Sequence, residues 1–141
     1  MLTSSFTHAV DAKNRLFIPA KHREELGEEF IIAKSLREQC LTVYSKEGWE
    51  AHLAPIKEKL QGKDKEAILR RLHANSIWVT PDAQGRIVLT PQLIEFANIA
   101  KNAVVVGCGD WSEIWAEEVY NARFAAEDDA SLLEALESVG L

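Results

Sequence analysis

Two copies of one short pattern carry the most suggestive chemistry in the chain: Asp11-Ala12-Lys13-Asn14-Arg15-Leu16-Phe17-Ile18 and, 71 positions later, Asp82-Ala83-Gln84-Gly85-Arg86-Ile87-Val88-Leu89. Three of the eight positions are identical and three exchange one apolar residue for another. Asn14 and Gly85 correspond, and these residue types accept positive φ in a tight turn most readily. An aspartate four residues before an arginine can accept backbone N–H bonds inside such a turn and also hold the guanidinium. Asp11 and Asp82 therefore read as turn braces. An arginine fixed in this way loses less entropy when it meets a phosphate or the O6/N7 edge of a guanine, where one bidentate contact provides roughly 1–3 kcal/mol of discrimination. Lys13 would add a phosphate contact that is blind to sequence. Because Lys13-Asn14 is more basic than Gln84-Gly85, the first turn is expected to contribute more. A lone Asp-x-x-x-Arg is more often only a structural clamp; its duplication, each copy followed by an apolar strand and a proline, makes the pattern specific.

The elements that must position these turns repeat as well. At the same offset Phe6 matches Ile77, Val43 matches Ile114, Tyr44 matches Trp115 and Trp49 matches Tyr120. Each copy reads as strand, tight turn, strand, short helix, then two further strands. In the first copy the strands are expected at Phe6–Val10, Arg15–Ile18, Phe30–Ala33 and Leu41–Tyr44. Pro19 suits the first helical position, Ala20–Leu26 the helix and Gly27 its C-cap. The second copy places Thr90 as N-cap, Pro91 at N1, a helix to about Ala97, and strands at Ala103–Val106 and Glu113–Trp115. Between the copies an amphipathic stretch predicts helices near Lys46–Leu53, Ile56–Leu60 and Lys65–His73, broken by Pro55 and by Gln61-Gly62. Ser131-Leu132-Leu133-Glu134 has the form of a capping box opening a last short helix whose leucines need a partner surface. The chain is thus expected to be one compact α+β domain of 141 residues made of two fused halves, about 1–72 and 73–125, with an acidic helical tail at about 126–141.

The net charge of −6 is unevenly spread: residues 110–141 carry −8, so residues 1–109 carry +2. A mildly basic body with an acidic tail is compatible with a nucleic-acid partner. Lys21 and Arg23, interleaved with Glu24 and Glu25, read either as a solvated helix face or as flanks of a nucleic-acid path. Lys57, Lys59, Lys63, Lys65, Arg70 and Arg71 read as the solvated side of the middle helices. No apolar run approaches the roughly 20 residues that span a bilayer, and the N-terminal segment has neither a basic nor an apolar leader region, so a cytoplasmic location is expected. Cys40 and Cys108 lie in apolar strand contexts and read as buried, inert thiols.

His8, His22, His52 and His73 show no metal-ligand spacing, and there is neither a glycine-rich phosphate loop nor a recognisable nucleophile–base motif. No catalytic residue, metal, cofactor or small-molecule substrate is therefore expected. The two pseudo-symmetric aspartates could in principle form a proton-sharing dyad. Each, however, is followed by alanine where such a site needs a hydroxyl, and each has an arginine that would keep it ionised. An oligomeric protein-interaction scaffold or antitoxin-like module, drawing on Trp49, Trp78, Trp111 and Trp115, remains a second reading, although aromatics at such positions are more often core.

On the strength of Asp11 through Arg23 and of Asp82-Ala83-Gln84-Gly85-Arg86-Ile87, the chain resembles the MraZ family over roughly residues 1–125. Members of that family carry two Asp-x-x-x-Arg units, usually with glycine where this chain has Asn14. The resemblance implies an AbrB-like swapped-hairpin β-barrel built within one chain, and assembly of several chains into a ring. It also implies a nucleoid-associated repressor of division and cell-wall cluster promoters that meets double-stranded DNA through Lys13, Asn14 and Arg15. With Lys21, Arg23, Gln84 and Arg86 these make up the residues expected to line the DNA.

Overall fold

A computed structural model describes residues 1–125 and 127–141. In the first half β1 (Ser5–Ala9), β2 (Arg15–Phe17), α1 (Ala20–Leu26), β3 (Phe30–Lys34) and β4 (Leu41–Tyr44) lead into α2 (Lys46–Lys59) and α3 (Gly62–Ala74). The second half repeats the order with β5 (Ser76–Val79), β6 (Arg86–Val88), α4 (Pro91–Ala97), β7 (Asn102–Gly107), β8 (Ser112–Ala116), α5 (Glu117–Phe124) and α6 (Asp129–Glu137).

The halves are interleaved. Six strands form one antiparallel sheet in the order β1-β7-β8-β4-β3-β5, and β2 pairs with β6 in a separate two-stranded ribbon. The two turns were expected to close local hairpins, but β1 pairs with β7 and β2 with β6, each a strand of the other half. This is the exchange that a swapped hairpin requires. Among the described residues the pairings do not close into a barrel: β1 and β5 are the edges of an open sheet. Leu16 faces Ile87 and Thr42 faces Glu113, and both pairs are related by the 71-position repeat, so an internal twofold axis passes through both.

Strand alternation divides the apolar residues between two faces. Phe30 and Ile32 of β3, Val43 of β4, Val105 of β7 and Ile114 of β8 point inward, where Leu16, Ile18, Ile87 and Leu89 from the ribbon complete a core shared by both halves. Ile31, Ala33 and Tyr44 point outward beneath α2 and α3 through Trp49, Leu53 and Leu72. Val104 and Trp115 meet Tyr120 and Phe124 of α5 in the same way. Covered on both faces, β3 is almost wholly buried, which explains its unbroken apolar sequence.

Three local expectations are corrected. Pro55 does not end a helix, because α2 runs through it. Proline has no N–H to donate to the Ala51 carbonyl, but Ala51 and Pro55 are exposed to water, while Trp49, Leu53 and Ile56 hold the two sides of the proline on one packed face. Pro19 serves as the N-cap of α1 instead of its first residue. In α4, by contrast, Thr90 Oγ1 accepts from Leu93 N at 3.3 Å with Pro91 at the start of the helix. The last helix opens at Asp129 and not at Ser131, because the Asp128 carboxylate takes the Ser131 N–H at 2.7 Å and so caps it. Leu132, Leu133 and Leu136 of α6 are each about half exposed.

His22 of α1 is 4% exposed and packs edge-on against Phe6 at 5.1 Å. Burial holds its pKa below the ordinary 6.5. The unfolded chain therefore takes up this proton at a higher pH than the folded one, so the associated stability is complete above pH 6.5 and is lost as the pH falls below it. Melting curves from pH 7.5 to 5.5 are expected to show Tm falling, with a shallower fall in His22→Leu. His52, whose pKa is also lowered by burial and by Arg37, supplies the remaining slope. An identical slope in the variant would rule out His22 as a source.

Candidate nucleic-acid interface

The first turn is closed by Asn14 N donating to Asp11 O at 3.0 Å, and Asp11 N donating to Arg15 O at 3.1 Å completes a tight turn with a bulge. The second matches it, Gly85 N to Asp82 O at 2.9 Å and Asp82 N to Arg86 O at 2.8 Å. The geometry requires a left-handed residue at the fourth position, and Asn14 has φ 61° and Gly85 φ 80°. Each of these residues also ties its turn to the opposite half: Leu89 N donates to Asn14 O at 2.8 Å and Ile18 N to Gly85 O at 2.9 Å.

Each aspartate carboxylate accepts three further bonds within its turn. Asp11 Oδ1 accepts from Lys13 N at 2.9 Å and from Arg15 N at 2.8 Å, while Oδ2 accepts from Arg15 Nε at 2.6 Å. Asp82 Oδ1 accepts from Gln84 N at 2.9 Å and Arg86 N at 3.0 Å, and Oδ2 from Arg86 Nε at 3.0 Å. The backbone N–H of Arg15, followed by the other bonds of the brace, holds the Asp11 carboxyl below the usual carboxylate range, and Arg86 does the same for Asp82. Both carboxylates are thus ionised and committed to their own arginines, the opposite of a proton-sharing dyad. The brace engages Nε alone. Among the described residues Arg15 and Arg86 make no hydrogen bond through Nη1 or Nη2, which leaves the two-pronged edge of each guanidinium available to an external acceptor.

Pairing in the ribbon sets the direction of both arginines. Directly opposed residues of an antiparallel pair share a face, and Leu16 and Ile87 are buried in the core. Arg15, Phe17, Arg86 and Val88 therefore lie together on the outer face.

The remaining residues singled out in the sequence separate. Lys13 and Gln84 are exposed at the turns, and Lys21 is exposed on α1 with no ion pair among the described residues. Arg23 has a specific position that sequence reading missed. Its Nε donates to Ile18 O at 2.8 Å, and its guanidinium lies over Gly85, where a Cβ would come within 2.9 Å of Cζ and Nε. A first-half cation is thereby added to the second turn, so the greater basicity of the first turn in sequence does not carry over to three dimensions. Gly85→Ala combines a positive φ with this contact and is expected to cost about 1–2 kcal/mol, measured as a lower midpoint in urea. An unchanged midpoint would show that Arg23 swings away freely and that the turn relaxes.

Other features carry less chemistry. Burial pushes the Cys108 thiol up to about 11 and that of the fully buried Cys40 higher still, so neither is poised as a nucleophile. A cavity of about 840 Å³ beside α2 is lined by Tyr44, Trp49, His52, Leu72 and Trp111. Neither braced arginine lines it.

Comparison with known proteins bears on this geometry. The family described as "MraZ protein, putative antitoxin-like" matches twice, over residues 1–71 and 72–139. The chain belongs to the MraZ family. It is 40% identical to the transcriptional regulator MraZ of a Thermoanaerobacter species, across 97% of this chain and 95% of that protein. It is 39% identical to the transcriptional regulator MraZ of Carboxydothermus hydrogenoformans, across 86% of this chain and 85% of that protein. With that of Clostridium tetani it shares 35% identity over the full length of both. Each MraZ match contains one braced turn, and the two matches together supply both strands of the ribbon.

Proposed function

We propose that the chain is a sequence-specific, DNA-binding transcriptional regulator and not an enzyme. It would act as a repressor at promoter repeats of the division and cell-wall gene cluster, in the cytoplasm at the nucleoid. The observation that carries this reading is the pair of aspartate-braced arginines on the outer face of one β-ribbon, each with its bidentate edge unoccupied among the described residues. A two-stranded ribbon fits the major groove of B-DNA, where arginine reads guanine O6 and N7. Arg15 and Arg86 would supply that contact. Lys13, Asn14, Gln84 and Arg23 would flank it at the turn tips, and Lys21 would lie farther along the path. The relatives named above are transcriptional regulators, which supports this role, and no helix among the described residues is long and apolar enough to cross a membrane.

The chain would act as one folding unit, the halves 1–72 and 73–125 being held together by the cross-half pairings β1–β7, β2–β6, β3–β5 and β4–β8, with an acidic segment at 126–141. One ribbon presents few cations and so has modest affinity. A homo-oligomeric ring that binds successive boxes raises avidity without new contacts, and the exposed leucines of α6 are the surface most in need of a neighbour. Native mass measurement with and without a repeat-bearing promoter fragment tests both parts. The expected result is an oligomer that binds the duplex with a steep inverse dependence on salt. A salt-insensitive protein complex that retains no DNA would favour the scaffold reading.

A further inference from the structure

The two apolar side chains on the outer face of the ribbon have no role in the reading above. Register places Val88 opposite Arg15 and Phe17 opposite Arg86, so each arginine shares its cross-strand position with an apolar residue of the other half. The two apolar residues differ in their surroundings. Phe17 is partly covered by His8, with the rings 5.2 Å apart. Val88 is 56% exposed although its neighbours Ile87 and Leu89 are buried. A single exposed valine is ordinary, but this one stands opposite a braced guanidinium on a two-stranded ribbon, an element that a major groove admits. In that groove the C5 methyl of thymine is the apolar mark that an aliphatic side chain can detect. Opposed Cβ atoms in such a ladder lie about 4.5–5.5 Å apart, so a base read by Arg15 and a methyl group touching Val88 would belong to the same or adjacent base pairs.

We infer that Val88 is a specificity-determining residue whose γ-methyl groups pack on a thymine methyl beside the base contacted by Arg15. This inference rests on the DNA-binding reading. Arg15 alone would recognise an acceptor edge; the composite of Arg15 from one half and Val88 from the other would recognise that edge together with a neighbouring methyl group. Gln84 and Lys13 have no comparable apolar surface, and Ile87 is committed to the core.

The test uses the full-length wild-type chain and a duplex selected by it from a random library. Each thymine of the selected box is replaced in turn by deoxyuridine, which removes only the methyl group. One replacement is expected to weaken wild-type binding about three- to fivefold, the amount that withdrawing a single methyl group from water provides. Val88→Ser is expected to bind the thymine and uracil duplexes alike, with an affinity near that of wild type for the uracil form. The inference is overturned if no replacement alters wild-type binding, an outcome that requires no variant to fold, or if Val88→Ser keeps the full thymine preference. Salt-dependent binding without any methyl preference would remove Val88 alone, whereas failure of wild type to retain any duplex would remove the DNA-binding reading itself.

Discussion

Arg15→Ala is expected to lower affinity for a selected duplex by about 5- to 150-fold at fixed salt, the worth of one bidentate base contact. Neighbouring cations do not replace this side chain. Asp11 fixes its direction from the Nε side at 2.6 Å and the buried Leu16 fixes the strand that carries it, so part of its entropy is already lost before DNA arrives. Lysine at this position would keep a charge but lose the fork, and Arg15→Lys is expected to retain salt-dependent binding while losing discrimination between boxes. Asp11→Ala is expected to fall between wild type and Arg15→Ala, because it frees the guanidinium without deleting it. The slope of log K against log salt should also become shallower in Arg15→Ala. Fluorescence anisotropy over a salt series measures both quantities. An isotherm for Arg15→Ala that superimposes on wild type would remove the first turn from the interface.

The second large effect concerns stability. Leu16 and Ile87 face each other on the internal twofold axis and are 0% and 1% exposed. Leu16→Ala is expected to cost about 2–5 kcal/mol, a large part of the roughly 5–15 kcal/mol that holds a domain together. Ile87→Ala should cost a similar amount. The two are in contact, so their costs are not simply additive, but the double variant is expected to lose cooperative unfolding at 37 °C. These residues belong to different halves, and the damage should therefore be global: among the described residues β2 and β6 are each other's only strand partner. Urea denaturation monitored by tryptophan fluorescence reads the change, with exposed Val88→Ala as a control expected to shift stability by less than about 0.5 kcal/mol. Wild-type midpoints in both core variants would mean that the ribbon contributes little to the shared core.

Several residues show how far one-dimensional reading reaches. The spacing of Asp11 and Arg15, and of Asp82 and Arg86, leads to a braced turn because all of its hydrogen bonds are local: donors and acceptors lie within four residues of each other. Asn14 and Gly85 disclose a left-handed position for the same reason. Arg23 could not be placed, since the surface it covers belongs to Gly85, 62 positions away. Val88 was hidden by the apolar run Ile87-Val88-Leu89; the alternation Arg15-Leu16-Phe17 in the first copy was the available signal, because a strand that buries Leu16 must turn the equivalent of Phe17 outward. Pro55 was misread because a local rule about helix breaking was outweighed by packing of Trp49, Leu53 and Ile56.

The order of sequence and structure is therefore a division by range. Turn chemistry, capping by Thr90 and Gly27, the doubled architecture and the apolar faces of the strands follow from near neighbours, where backbone sterics and hydrogen bonds act over a few residues. The partner of each strand, the open form of the sheet, the meeting of Arg15 with Val88 and the transfer of Arg23 to the second turn were decided only by the tertiary structure. Two halves with the same order of elements offer each strand a local and an exchanged partner, and burial of Leu16, Ile18, Ile87 and Leu89 in one shared core selects between them.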